Sequence, residues 1–508
     1  MKRLTLFASP HRSRRLVATA LLSFGVLSFG SSASAADWNR FLGPAGTSMS
    51  SDSTPPPQSW GDKENLKWKA ELPGVGVSSP IVVGGKVFVT SYSGYGTGGQ
   101  NEDINDLKRH LTCFNVVTGD QLWTKTIDAV QPEDPYRPPG VSAHGYASHT
   151  PTSDGKHIFV FFGKTGVIAY DLDGNEKWRK SVGTGSGPQA WGSAASPIVY
   201  NNGEKSLVII TAAEESEALF AFDTETGEEV WKTPAASLQG TWSTPTFATT
   251  GDRTDLVVSV PGEVWGINPE NGKLRWYSRG TTDNSTSASP VAIDGVVYAV
   301  GGRSGDAVAV KAGGKGDVND SHVVWDAKIQ GRFASPLGYN GHLYVYSSGI
   351  LTCYDAATGD RVKQKRLSEG GSGSFGGGRG GRGGDGGRGG APGARGQDGA
   401  PGGGFGGGPG GRGGPGGFGG GGRGGFGGRG GGGFGDRRNM EYASPILVGD
   451  KLYVTSPQGQ FYVVTASPEM EVVATNTLTD DTGFSASPAV SDGRLFVRSG
   501  GALYCIAE

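Results

Sequence analysis

Cysteine and histidine are scarce in this chain of 508 residues, which contains three and seven of them respectively. The cysteines include neither an adjacent pair nor a Cys-x-x-Cys spacing, and the histidines show no recognisable metal-ligand spacing. The chain also lacks a Gly-x-Ser-x-Gly elbow and a Walker glycine loop. Residues 101–106 are acidic but lack the central glycine and final glutamate of an EF-hand loop, so no metal site is predicted. These absences give no support to nucleophilic, phosphoryl-transfer or metal-dependent catalysis.

Long apolar stretches are also rare, because hydrophobic residues make up only 35% of the chain while glycine occurs 92 times. Much of that glycine lies in residues 369–438, where Arg-Gly-Gly repeats have no periodic apolar face. We therefore expect this segment to be a disordered insertion in an otherwise ordinary folded chain. The net charge is −2, and both the insertion and the N-terminus are basic, so the remaining part is acidic. An acidic body predicts that nucleic acid is not a partner.

One apolar stretch, Leu16 to Phe29, follows a basic N-terminus and precedes the small residues Ala33-Ser34-Ala35. This order predicts a cleaved signal peptide over residues 1–35, and hence a protein that is periplasmic, secreted or on the cell surface. The stretch is short for a membrane span, so we expect no transmembrane span in the mature chain. A retained anchor, and twin-arginine rather than general export, remain as alternatives.

A repeated unit is the strongest feature that the sequence does contain. A Ser/Thr-Pro step followed by an alternating apolar strand recurs at roughly 45-residue intervals once the insertion and two long loops are set aside. The prolines of these steps are Pro80, Pro151, Pro197, Pro245, Pro290, Pro336, Pro445 and Pro488. Each unit contains four short strand patterns separated by turn residues, which predicts an all-β propeller.

Several units carry a tryptophan four residues after a turn glycine. These tryptophans, with one further copy near the N-terminus, are Trp68, Trp123, Trp178, Trp231 and Trp276. One large aromatic side chain per blade is expected to fill the space between neighbouring blades, so we assign these residues to the structural core.

The cysteines lie in matching positions of different units: Cys113, Cys353 and Cys505. Rotation about the propeller axis would separate equivalent positions by more than a disulfide can span. We therefore expect three buried free thiols. We also expect the chain to be a monomer.

The two ends of the chain complement each other. The last unit begins at Pro488 and ends after three strand patterns, whereas residues 65–72 form an unpaired strand pattern before the first unit. We predict that this N-terminal strand completes the last blade and closes an eight-bladed ring of four-stranded antiparallel blades over residues 65–508. Residues 36–64 then form a leader. The alternative is a seven-bladed ring with a separate module.

The repeat resembles the tryptophan motif of the pyrroloquinoline-quinone (PQQ) repeat family of β-propellers, most clearly in Ala221-Phe222-Asp223-Thr224-Glu225-Thr226-Gly227-Glu228-Glu229-Val230-Trp231. The leader sequence Asp37-Trp38-Asn39-Arg40-Phe41-Leu42-Gly43-Pro44 resembles the start of exported bacterial PQQ-like proteins. The resemblance covers residues 65–368 and 439–508. It implies the propeller fold of a family that includes the outer-membrane assembly lipoprotein B and, more remotely, quinoprotein dehydrogenases.

The chain departs from both kinds of relative. The dehydrogenases share a vicinal disulfide under the cofactor, a calcium site and an aspartate base, and none of these can be located here. The lipidated cysteine at the mature start of the assembly lipoprotein is also absent. The resemblance therefore implies the fold but not either activity. We expect no cofactor, and PQQ with calcium is the alternative.

Side chains just before each Ser/Thr-Pro step are the best candidates for ligand contacts, because they precede the strands that enter the central channel. The candidates are His144, Tyr146, His149, Trp191, Trp242, Arg332, Phe333, Glu441, Tyr442 and Phe484. We expect them to form a funnel for a small planar or sugar-like ligand. The alternative is that they only plug the channel mouth and pack neighbouring blades.

These features favour an exported, non-catalytic PQQ-like propeller that binds or scaffolds a protein or carbohydrate partner in the cell envelope. No catalytic residue is assigned. A quinoprotein oxidoreductase with PQQ in the channel and a carbohydrate-binding propeller are the alternatives.

Overall fold

The Ser/Thr-Pro repeats form the blades of a propeller. The computed structural model describes residues 37–136, 144–302, 304–329, 331–367 and 441–508. Strands in these ranges form eight sheets of four antiparallel strands, and two sheets carry one added short parallel strand at an edge. The prediction of an all-β, eight-bladed propeller is therefore confirmed.

The strands are numbered in chain order and grouped by blade. The N-terminal segment and blades 1 and 2 contain β1 (Met49–Ser50), β2 (Leu66–Glu71), β3 (Ile81–Val83), β4 (Lys86–Ser93), β5 (Lys108–Asn115), β6 (Gln121–Asp128), β7 (Thr152–Ser153), β8 (His157–Phe161), β9 (Val167–Asp171) and β10 (Glu176–Lys180). Blades 3 to 5 contain β11 (Ile198–Asn201), β12 (Ser206–Ala212), β13 (Ala218–Asp223), β14 (Glu229–Pro234), β15 (Thr246–Thr250), β16 (Arg253–Val260), β17 (Glu263–Ile267), β18 (Leu274–Arg279), β19 (Val291–Ile293), β20 (Val296–Val300), β21 (Asp306–Lys311), β22 (Gly316–Asp317) and β23 (Val323–Lys328).

Blades 6 to 8 contain β24 (Leu337–Tyr339), β25 (His342–Ser347), β26 (Ile350–Asp355), β27 (Arg361–Arg366), β28 (Ile446–Val448), β29 (Lys451–Thr455), β30 (Gln460–Thr465), β31 (Val472–Thr477), β32 (Ala489–Ser491), β33 (Arg494–Arg498) and β34 (Ala502–Ile506). Helical structure in the described residues is confined to α1 (Ala213–Ser216) and three 3₁₀ turns, Ile104–Asp106, Gly163–Thr165 and Ala236–Leu238.

A belt of hydrogen bonds explains the repeated Ser/Thr-Pro step. At seven junctions between successive blades, the backbone N–H of the serine or threonine donates to the hydroxyl of its counterpart in the next blade at 2.9–3.0 Å. The belt residues are Ser79, Thr150, Ser196, Thr244, Ser289, Ser335, Ser444 and Ser487. The hydroxyl is required as an acceptor, and the proline that follows begins the inner strand without an N–H that would need a partner.

Tryptophans of five blades join their blade to the turn of the next one. Trp178 is 8% exposed, and its indole N–H donates to the carbonyl of Thr224 at 3.0 Å. Equivalent bonds join Trp68 to Val116, Trp123 to Leu172, Trp231 to Pro269 and Trp325 to Ala356. A Cβ added at Gly227 would lie 2.6 Å from the Trp178 ring, and Gly227 has a φ of +69°. The turn therefore requires glycine both for its backbone conformation and for its close approach to the indole.

Two tryptophans depart from the predicted set. Trp276 is completely buried among apolar residues of blades 4 and 5, but its indole N–H donates to the carboxylate of Asp255 in its own blade at 2.8 Å. Trp325, which the sequence pattern did not assign, makes the contact with the next blade that the other copies make.

The N-terminal strand closes the ring. Strand β2 pairs antiparallel with β34, which places Trp68 beside Cys505 and Glu71 beside Ala502. The Trp68 indole N–H then reaches the turn of blade 1 and donates to the carbonyl of Val116 at 3.3 Å. The last blade thus takes its outer strand from the other end of the chain, as predicted, and β34 has a partner on both sides.

The three cysteines are free and buried, as expected. Cys113 and Cys505 lie in different blades, and burial raises the pKa of both thiols to about 12. Burial likewise raises the pKa of Cys353 to about 11.

The leader covers one end of the central channel. Trp38 pairs with Val82 in blade 1, and its backbone N–H donates to the Val82 carbonyl at 2.9 Å. The buried Arg40 guanidinium donates to the carbonyl of Pro245 in blade 4 at 3.2 Å. Strand β1 then pairs with β28 in blade 7. Contacts with blades on different sides of the ring show that the leader spans the channel.

The predicted signal peptide, residues 1–35, and the predicted insertion, residues 369–438, both lie outside the described residues. Within the described ranges, no helix is long and apolar enough to cross a membrane.

Candidate functional site

A pocket of about 420 Å³ lies on the propeller axis. Six residues of the hydroxyl belt line it: Ser79, Thr150, Ser196, Thr244, Ser289 and Ser487. Most other lining residues belong to the segments that connect the outer strand of one blade to the inner strand of the next. Phe41 of the leader also lines the pocket. A pocket of this size can hold a small ligand.

One sequence position supplies a second ring of lining residues in all eight blades. It lies three residues before each repeat proline and is occupied by Val77, Ser148, Ala194, Trp242, Ser287, Phe333, Tyr442 and Ser485. The belt residue lies one before the proline, so the two rings are two residues apart, as expected for alternation in an extended chain. Small side chains at most of these positions leave space for a ligand, and the aromatic ones supply contact surface.

The structure brings six of the ten predicted binding candidates into this pocket: His144, Trp191, Trp242, Arg332, Phe333 and Tyr442. They come from the connections between blades 1 and 2, 2 and 3, 3 and 4, 5 and 6, and 6 and 7. The structure therefore brings these six side chains together around one pocket.

Tyr146 and His149 do not line the pocket but are buried beside it. Tyr146 stacks on Tyr136 with ring centroids 4.1 Å apart, and its hydroxyl donates to the carbonyl of Asp134 at 2.8 Å. His149 lies 3.1 Å from the Ser193 hydroxyl, and burial lowers its pKa to about 3. Both side chains therefore pack the junctions between blades.

Glu441 and Phe484 also point away from the pocket. The Glu441 carboxylate accepts from the backbone N–H groups of Ser348 and Gly349 in a hairpin of blade 6. Phe484 is 1% exposed and makes an edge contact with Phe461, with ring centroids 5.2 Å apart. Each lies four residues before its proline, where alternation along an extended chain favours a side chain turned away from the channel. Arg332 lies at the same position in its own repeat and lines the pocket nonetheless, so the position alone does not decide the direction. The prediction that these two side chains enter the funnel was wrong.

Two aromatic pairs line the pocket. Trp191 and Trp242 stack with ring centroids 5.4 Å apart and an interplanar angle of 28°, and the Trp242 indole N–H donates to the carbonyl of Gly192 at 2.8 Å. Phe333 and Tyr442 lie 4.4 Å apart at 34°. Rings held in this way present fixed apolar surface to a ligand.

Several lining residues were missed by sequence reasoning. Phe41 was assigned only to the leader, and Gln189, Gln239 and Asn284 lie in irregular connections that carry no repeat pattern. The serine and threonine belt could have been found, because its members occupy one fixed position in every repeat.

The described residues do not fit a metal-dependent quinone. Asp283 is the only carboxylate among the described pocket residues, and its oxygens accept from the Gly302 N–H, the Ser304 N–H and the Ser304 hydroxyl at 2.6–2.9 Å. Throughout the described ranges, no group of three or more His, Cys, Asp or Glu side chains could hold a metal ion. The cysteines are buried in separate blades and cannot form a vicinal disulfide.

The fold and the repeat define the class of protein: an eight-bladed propeller of the PQQ-like repeat type. A family model described as "Outer membrane protein assembly factor BamB" matches residues 61–243 and 107–365, which together are more than half of the chain. The chain belongs to this family. The resemblance to PQQ-repeat propellers is thus confirmed.

Solved structures share the fold at low sequence identity. BamB from Moraxella catarrhalis is 12% identical, with a TM-score of 0.51 over 87% of this chain and 96% of that chain. A europium-containing methanol dehydrogenase is 11% identical, with a TM-score of 0.57 over 93% of this chain and 98% of that chain. No curated protein sequence matches the chain. At these identities the likeness shows the fold alone.

Proposed function

We propose that the protein is an exported, non-catalytic binding propeller of the cell envelope, and that its central pocket takes a saccharide. The observation that supports this proposal is the composition of the pocket. Two aromatic pairs, Trp191–Trp242 and Phe333–Tyr442, line it together with hydroxyl and amide side chains. Saccharide rings offer C–H faces that pack on aromatic rings and hydroxyl groups that bond to amides and hydroxyls.

The polar groups of the pocket support binding over catalysis. The Asp283 carboxylate accepts three hydrogen bonds from Gly302 and Ser304 of a neighbouring loop, which gives it a structural role in holding that loop. The Ser148 hydroxyl lies 2.8 Å from His144 Nδ1 but donates its proton to the backbone carbonyl of His144 at 3.0 Å, so that proton is not directed at the imidazole. Membership of a family described by an assembly factor also supports a binding role. An envelope location rests on the predicted signal peptide.

The proposal is tested with a glycan array followed by calorimetric titration of the saccharide that binds best. The double variant W191A/W242A should weaken binding by about 30-fold to about 1,000-fold, because each ring supplies contact surface worth roughly 1–2 kcal/mol. Both side chains are only half-buried, so the variant should remain folded. The control is W265F, which changes a tryptophan on β17 that does not line the pocket.

Binding unchanged in W191A/W242A would overturn the assignment of the site. Reduction of a redox dye with alcohols or sugars, after addition of PQQ and calcium to the purified wild type, would overturn the non-catalytic proposal and favour a quinoprotein oxidoreductase.

A further inference from the structure

Two buried glutamates lie behind the Trp191–Trp242 pair. Helix α1, a single turn between β12 and β13 of blade 3, contains Glu214 and Glu215, which are 3% and 5% exposed. No lysine, arginine or histidine among the described residues lies within ion-pair distance of either carboxyl group. Such burial of two adjacent acids without a cation is costly if both are ionised.

The two glutamates bind the two loops that carry the tryptophans. Glu214 Oε1 accepts from the backbone N–H of Gly240 at 3.1 Å, two residues before Trp242. Glu215 Oε1 accepts from the hydroxyl of Ser193 at 2.5 Å, two residues after Trp191. The Glu215 backbone carbonyl also accepts from the N–H of Gly185, at the start of the Trp191 loop, at 2.8 Å. One helical turn therefore links both loops.

The second oxygen of each carboxyl group has no hydrogen-bond partner in the described structure. Both Oε2 atoms are buried and unpaired. A carboxylate in this position would leave a charged oxygen without a donor, whereas a neutral carboxylic acid carries its own proton. Burial raises the pKa of Glu214 and of Glu215 to about 7, against the opposing effect of the bonds from Gly240 and Ser193.

The charged neighbours do not reverse this preference. Glu217 raises the pKa of Glu214, and Glu133 together with Glu214 raises that of Glu215. The 3₁₀ turn Gly163–Thr165 of blade 2 packs against helix α1 and contains Lys164, whose ammonium group forms an ion pair with Asp134 at 2.8 Å.

On the blade 1 side, the guanidinium of Arg109 is paired with Glu133 at 2.7 Å. His149 faces Ser193, and its pKa of about 3 keeps it neutral over the range in which the glutamates titrate.

We propose that Glu214 and Glu215 are positioning residues that hold the Trp191 and Trp242 loops together while they are protonated and release them when they ionise. Two negative charges on adjacent buried residues are relieved if the carboxylates move towards water. That movement breaks the bonds to Gly240 and Ser193. The consequence for ligand binding rests on the proposed function: the pocket would bind its ligand at acidic pH and lose affinity as the pH rises through neutrality.

The test needs no ligand. Tryptophan fluorescence is recorded between about pH 5 and pH 9 for the wild type and for W191F/W242F, and the difference isolates the signal of the pair. We expect a single transition near pH 7. In E214Q/E215Q the transition should be absent, because glutamine has the shape of the protonated acid but cannot ionise. E204Q, an exposed substitution in the same blade, should keep it.

A flat difference signal in the wild type, or an unchanged transition in E214Q/E215Q, would overturn the proposal. If the double variant does not fold, a flat wild-type titration still overturns the proposal. The single variants E214Q and E215Q then show the transition with one titrating group each.

Saccharide binding at about pH 5.5 and about pH 8.5 separates the two proposals. We expect the wild type to bind at least about tenfold more weakly at the higher pH, and E214Q/E215Q to bind equally at both. A fluorescence transition without saccharide binding would overturn the proposed function and leave the positioning role of Glu214 and Glu215 intact. Equal saccharide binding at both pH values, together with a flat fluorescence signal, would overturn only the positioning role of Glu214 and Glu215.

Discussion

Removal of the Trp68 side chain tests whether the N-terminal strand closes the ring. Trp68 is 9% exposed, its ring centroid lies 6.0 Å from that of Phe496, and its indole N–H bonds to the Val116 carbonyl. A Cβ added at Gly119 in the same turn would lie 2.5 Å from the ring, so the side chain fills the space between blades 8 and 1. W68A should therefore cost about 3–5 kcal/mol of unfolding free energy, the usual range for a buried tryptophan.

The assay combines urea unfolding with limited proteolysis. The matched control is W231A, which removes a tryptophan of 7% exposure in the equivalent position between blades 3 and 4. Both variants should lose similar free energy, but only W68A should be cleaved early between residues 37 and 71. The reason is that β2 is held in blade 8 by its pairing with β34 and no hairpin joins it to that blade. Strand β14, in contrast, follows β13 of its own blade directly in the chain.

A loss of unfolding free energy below about 1 kcal/mol in W68A would show that the Trp68 side chain contributes little to the packing between blades 8 and 1. Equal resistance of W68A and W231A to cleavage near the N-terminus would refute the closing role of β2.

Three further predictions follow from the packing and the titrating groups. G227A should lose more than about 1 kcal/mol, because its Cβ would meet the Trp178 ring at a φ of +69°; G203A, which has a positive φ but no neighbour within 4 Å, should lose less, as measured by urea unfolding. The three cysteines should resist iodoacetamide at about pH 8 in the native protein and react fully in denaturant, because burial keeps the thiols protonated; mass spectrometry gives the count. The raised pKa of Glu214 and of Glu215 means that the native state holds protons which the unfolded chain loses, so the free energy of unfolding should fall as the pH rises from about 4.5 to about 7, by about 3 kcal/mol for each such group. E215Q should remove about half of this fall, and E214Q/E215Q should remove most of it, as measured by urea unfolding across this pH range.

The fold could be predicted because its determinants are local and repeated. Seven of the eight Ser/Thr-Pro steps donate the same belt hydrogen bond to the next blade. In several blades the turn glycine lies against a tryptophan of the preceding blade, as Gly227 does against Trp178. The position of β2 could be inferred because the last repeat lacks one strand and the N-terminus supplies it. Trp276 shows the limit of this reasoning, since its hydrogen bond goes to Asp255 rather than to the next blade.

The candidate site could be predicted only in part. Trp242, Phe333 and Tyr442 share the position three before a repeat proline, which strand alternation would have selected. The same rule rejects Glu441 and Phe484 correctly, but it would also have rejected Arg332, which lines the pocket. The place of Trp191 depends on an irregular loop held by Ser193, which no repeat pattern describes.

Contacts between distant segments could not be predicted either, because no repeat pattern describes them. The leader folds across the channel through pairings with blades 1, 4 and 7. Nothing in the local sequence of Phe41 indicates that it lines the pocket, and the buried state of Glu214 and Glu215 depends on two loops that close over them.

A crystal structure of the protein soaked with the saccharide selected on the glycan array tests the central claim most directly. We expect the saccharide in the axial pocket, in contact with the rings of Trp242 and Phe333 and with the amides of Gln189 or Gln239. A saccharide bound only on the outer face of the blades, with the axial pocket unchanged, would contradict the account.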